Sequence, residues 1–136
     1  MANMTAREQL MLELINRARL DPKGEAARYN IGLNEGVPGA STISSASKQA
    51  LAGNDALGLA ADLHSNWMIA NDVLDHFQNP GPSYSPFNRM NNAGYSFTTA
   101  GENIGWVGST GSLDLTKSIA DIHKNLFVDA NYLNRG

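Results

Sequence analysis

Three histidines, His64, His76 and His123, supply the imidazoles available for acid–base or metal chemistry in this 136-residue chain. No cysteine accompanies them. That excludes disulfides, thiolate metal sites and cysteine nucleophiles, without fixing a compartment. The run from Gly105 to Gly111 lacks the lysine of a P-loop, no dinucleotide-binding spacing occurs, and no Gly-x-Ser-x-Gly elbow presents a serine. The chemistry left is that of imidazole with carboxylate: a ligand pair for a divalent metal such as zinc, or a base with its orienting acid.

Several elements must position these groups. Thr5 with Glu8 fits a capping box, and Leu10, Met11, Leu14, Ile15 and Ala18 recur at three and four. A first helix therefore spans about 6–20 and stops at Asp21-Pro22. A short helical turn over Gly24–Tyr29 follows. Residues 32–55, with Gly32, Gly36, Pro38, Gly39 and clustered serines, read as a long irregular loop. Asn54 or Asp55 caps a second helix of about 56–76, whose period runs through Leu57, Ala60, His64, Trp67, Met68, Asn71 and Leu74. His64 thus lies on the apolar stripe and reads as a core histidine making one hydrogen bond. Three prolines make 77–86 a loop. Pro86 opens a short helix that Gly94 stops, and the run Tyr95–Trp106 suits one short strand. Leu115, Ile119, Ile122 and Leu126 define a last helix of about 114–130, with His123 on its flank.

Composition sets the class. Fourteen Leu and 17 Ala against 7 Ile and 4 Val favour helix over strand. Length points to one domain, and 42% apolar residues are enough for a core. Ten basic against 13 acidic residues leave no basic footprint, which argues against nucleic acid as a partner. No apolar run is long enough to span a membrane, and the first residues do not form a signal peptide.

Four segments carry a further signal. They are Leu12-Glu13-Leu14-Ile15-Asn16-Arg17-Ala18-Arg19; Leu51 through His64-Ser65 and Met68 to Asp75-His76; Pro86-Phe87-Asn88-Arg89-Met90 with Gly94-Tyr95; and Gly101-Glu102-Asn103-Ile104. In this order they resemble the CAP superfamily (cysteine-rich secretory proteins, antigen 5, pathogenesis-related proteins), above all its cysteine-free bacterial branch of SCP-like extracellular domains. The resemblance implies an α+β fold, an α–β–α sandwich with a central cleft. In the bacterial relatives a Gly-His-Arg motif and further strands follow the last helix, and here the sequence ends at Arg135-Gly136. The expectation is therefore one incomplete domain over 1–136: the mostly helical front part of the sandwich, with much of the central sheet missing. Leaving several hundred Å² of helix stripe bare costs on the order of 10 kcal/mol at roughly 25 cal/mol per Å². Self-association or rearrangement is the expected response.

In the family two histidines and two acids converge on the cleft, and His76 and Glu102 match the first of each. Their separation of 26 residues has no local meaning, so only the fold can join them. The resemblance makes them the candidate metal ligands, with His64, His123 and Asn103 as further cleft residues; Asn103 would hold a turn through its amide. The bland alternative is a His–Glu hydrogen bond that braces the loop after helix two. Asp129 is the nearest counterpart of the second acid, and Arg89 is expected to pair with an acid or a helix terminus. The implied function is a secreted, extracellular, non-enzymatic CAP domain that takes a divalent metal or a small apolar ligand. The alternatives are a metal-dependent hydrolase using His76 and Glu102, and a protein-interaction module. No residue is assigned as catalytic.

Overall fold

In a computed structural model that describes residues 3–129, the elements are α1 (Ala6–Leu20), α2 (Pro22–Arg28), α3 (Asp55–Asn71), α4 (Pro86–Asn92) and α5 (Leu115–Val128), with a 3₁₀ turn at Gly39–Ser41. None of the described residues lies in a strand. The chain divides into two compact units, one of residues 5–52 and 107–129, the other of residues 3–4 and 53–106.

In the first unit α1 packs on α2 and α5. The capping box at its start is formed: Thr5 Oγ1 accepts from Glu8 N–H, and Glu8 Oε2 accepts from Thr5 N–H at 2.5 Å. Asp21 ends α1 and caps α2, accepting from Gly24 N–H at 2.9 Å. A Cβ on residue 24 would stand 2.0 Å from that carboxylate, so any side chain there would make Asp21 shift from its present position. The long loop is fastened to α1 by Asn16 and to itself by Asn34, through side-chain amides that imitate strand pairing. Asn16 gives and takes one bond each with the backbone of Leu51, at 2.9 and 2.7 Å, and Asn34 does the same with Ile43, both at 2.8 Å.

In the second unit α3 packs on α4. Asn54 caps α3 through Ala56 and Leu57 N–H. The helix stops at Asn71, five residues before the expected end. Asp72 turns left-handed (φ 51°), its N–H reaches Ile69 O, and Val73 N–H reaches Met68 O, which is a Schellman stop with aspartate in the glycine position. His76 therefore lies in a loop rather than on the last helical turn. Ser85 caps α4 with Pro86 at its first position, and Gly94 (φ 84°) closes it. The strand expected over 95–106 does not form: no described residue pairs with this run in a ladder, and a strand without a partner leaves its backbone groups unbonded. The fold is thus the helical part of the α+β expectation. α5 spans 115–128, and residue 130 of its expected extent lies outside the described residues, as does Arg135-Gly136.

The buried apolar side chains among the described residues are few: Ala26, Ala60 and Met90, and the prolines Pro22 and Pro86. Glu25, His64, Arg89, Ser118 and His123 are buried too. Polar networks, one in each unit, do much of the positioning.

Candidate functional site at His76 and Glu102

The second unit brings His76 and Glu102 together. His76 Nδ1 lies 3.0 Å from Glu102 Oε1. A carboxylate oxygen accepts, so Nδ1 carries a proton, and in the neutral ring Nε2 is the nitrogen with the lone pair. Arg89, buried on α4, clamps the same carboxylate: Nη2 donates to Oε1 at 2.8 Å and to Oε2 at 2.6 Å. Its Nη1 donates to the carbonyl of His76 at 3.1 Å. One guanidinium thus fixes the acid and the backbone of the histidine. Its Nε has no partner among the described residues. The expectation that Arg89 pairs with an acid holds. The His76 side chain is 45% exposed, against 16% for Glu102 and 3% for Arg89, so the arrangement opens to solvent at the imidazole.

His64 lies against this group, its Nε2 3.8 Å from Glu102 Oε1. It makes two hydrogen bonds where one was expected. Nε2 donates to the carbonyl of Asp75 at 2.9 Å, and Nδ1 accepts from Gln78 Nε2 at 3.3 Å. Burial, and then the nearby Arg89 cation, lower its pKa. With both nitrogens engaged, its ring is a support rather than a free ligand. Asn103 is exposed and contributes no side-chain bond among the described residues.

Comparison with known proteins adds one match: the model of the cysteine-rich secretory protein family, CAP, covers residues 12–134. The chain belongs to the CAP family. No curated protein and no solved structure matches it significantly. This CAP chain contains no cysteine, so no disulfide fastens it.

The matched region also contains the other network, in the first unit of the CAP chain. His123 on α5 bonds Glu25 on α2, Nε2 to Oε1 at 2.9 Å. Arg17 on α1 donates to both Glu25 oxygens at 2.7 and 2.6 Å, and Tyr29 Oη adds a bond at 3.1 Å. Burial alone would raise the Glu25 carboxyl, but the bonds from Arg17 and His123 outweigh it and hold the pKa at about 2. The rings of Tyr29, His123 and Phe127 pack against one another. Glu25 carries no local sequence signal. Its main partners are 8 and 98 positions away. His123 is therefore bound into a buried brace, and Asp129 closes α5 in a left-handed turn.

Among the described residues no three histidines, aspartates or glutamates gather as a metal cage. Both Glu102 oxygens are already engaged, so the donor set suits an open metal position at His76 Nε2, with Glu102 behind the ring, better than a two-ligand chelate. The aromatic residues nearby are half-exposed: Phe77 and Tyr84 have centroids 5.2 Å apart, and Tyr95 and Phe97 line a shallow pocket with Ser96, Thr98 and Thr99. No described helix is long and apolar enough to cross a membrane.

Proposed function

We propose that this CAP chain is a secreted, non-enzymatic binding domain that offers His76 Nε2 to a divalent metal such as zinc. The observation that carries this reading is the 3.0 Å bond from His76 Nδ1 to Glu102 Oε1 beneath a half-exposed ring. That bond fixes the tautomer of the neutral ring and leaves Nε2 as the nitrogen available to a ligand. Glu102 supports the metal through the imidazole, and Arg89 keeps the carboxylate in place. Such a site holds zinc weakly, because four ligands make a tight site. Secretion rests on family membership. Zinc titration by calorimetry tests the reading. Binding is expected in the native chain, weaker in Glu102→Gln and absent in His76→Ala; binding that survives His76→Ala, or none at all in the native chain, overturns it.

A small apolar ligand is the second reading, favoured by the Phe77–Tyr84 ring pair in the loop that follows His76. Titration with an apolar fluorescent dye, repeated on Phe77→Ser, separates it from metal binding. The hydrolase reading needs a nucleophile or activated water against Nε2. It would return only with a purified activity that His76→Ala abolishes.

A further inference from the structure

We propose that His64 is the positioning residue of the His76 site: a neutral imidazole, protonated on Nε2, that grips the His76 loop on both sides. The proposal rests on the reading of His76 as the working side chain.

The argument begins with the acceptor. A backbone carbonyl can only accept, so the 2.9 Å contact with Asp75 O places the proton of His64 on Nε2. The other nitrogen is then an acceptor, and the Gln78 amide supplies the N–H, at 3.3 Å. Asp75 is the residue before His76 and Gln78 is two beyond it. One ring therefore holds the turn at both ends, and His76 lies between the two grips in the chain. No other side chain type presents a donor and an acceptor on opposite edges of a rigid ring.

The grip itself is fixed. His64 is 2% exposed on α3, and its ring stacks on Trp67 with centroids 5.8 Å apart and planes 10° from parallel. The helix that carries it ends at Asn71, so helical hydrogen bonding cannot hold His76. A leucine would fill this position without the cost of burying polar nitrogens. The imidazole is accounted for by what its nitrogens hold. His64 Nε2 and His76 Nδ1 also approach the same oxygen, Glu102 Oε1, at 3.8 and 3.0 Å, so a shift of the loop would alter the bond that sets the His76 tautomer.

The test reads the tautomer of His76 directly, without metal, by long-range ¹H–¹⁵N correlation NMR of the imidazoles. In the native chain His76 is expected as the Nδ1–H form and His64 as the Nε2–H form. His64→Phe keeps the stack on Trp67 and removes both bonds; His76 is then expected to revert to the mixture of an unfolded histidine, and its affinity for zinc, if the native chain binds zinc, to fall about tenfold or more. His64→Gln, whose amide can donate to Asp75 O, is expected to restore most of the Nδ1–H form. An unchanged His76 spectrum in His64→Phe overturns the proposal, as does failure of His64→Gln to differ from it. Should His64→Phe lose the native helical circular dichroism, Gln78→Leu carries the test, and a His76 spectrum identical to the native one there overturns the two-sided grip. A native chain that binds no zinc yet shows these tautomers sinks the metal reading and leaves this one standing.

Discussion

His123 Nε2 meets Glu25 Oε1 at 2.9 Å, and in doing so repeats in closed form the pairing of His76 with Glu102. Each carboxylate takes an imidazole and two bonds from one guanidinium, Arg17 in the first unit and Arg89 in the second. Exposure separates them. His123 is 4% exposed and its acid 1%, so that triad is a brace. The His76 side chain is nearly half in water, so the same chemistry there is available to a ligand.

Glu25→Ala should destabilise the first unit by about 3 kcal/mol, the low end for breaking a buried ion pair, because Arg17 is 39% exposed and can turn to water. Urea denaturation followed by circular dichroism checks this. An unchanged midpoint would remove the brace from the account.

Stability should fall on the acid side in two windows. Glu25 has a folded pKa of about 2 against 4.5, so it contributes fully above about 4.5, and that contribution is lost as pH drops towards 2. His64 has a folded pKa below its ordinary 6.5 because burial and Arg89 disfavour its cation. The unfolded chain therefore takes up that proton first, and stability declines as pH falls below about 6.5. Melting temperature against pH should lose the upper slope in His64→Gln and the lower slope in Glu25→Gln.

Arg89→Lys should fail to rescue the site. A lysine offers a point charge where the fork now reaches Glu102 and the carbonyl of His76 together. A loss of about 2 kcal/mol in stability and of about tenfold in zinc affinity is expected. Native-like values for both would show that the fork is dispensable.

Gly24→Ala should cost about 1–2 kcal/mol, because the added Cβ displaces the Asp21 cap of α2. Asp21→Ala should cost about the same, and the double variant little more than either, since both remove one bond.

Leu59, Leu63 and Ile69 on α3 are 50–79% exposed, and Trp106 is 72% exposed. Bare apolar surface of this extent should drive self-association. Light scattering on a concentration series should give a mass that rises above 14.6 kDa, and Leu63→Lys with Ile69→Lys should lower it. A constant 14.6 kDa would count against association.

What the sequence determined by itself is local. Thr5 with Glu8, Asn54, Pro86 and Gly94 mark helix ends correctly because each acts on backbone groups within a few residues. The capping chemistry and the apolar period are therefore written in adjacent letters. The stop of α3 at Asn71 was not legible, since Asp72 adopts a left-handed turn that glycine more often signals. The strand expected over 95–106 was misread for a related reason: a strand is defined by its neighbour, and a run of residues does not supply one.

The site was half legible. Resemblance brought out His76 and Glu102, and the charge of Arg89 asked for an acid. The tertiary structure decided that Arg89 serves both residues and that His64 grips the His76 loop with both nitrogens. It also decided that His123 belongs to Glu25. These partners are 11 to 98 positions apart. At such separations the chain's path, rather than any local preference, fixes which donor meets which acceptor, and with it which imidazole is buried and which is left open to solvent.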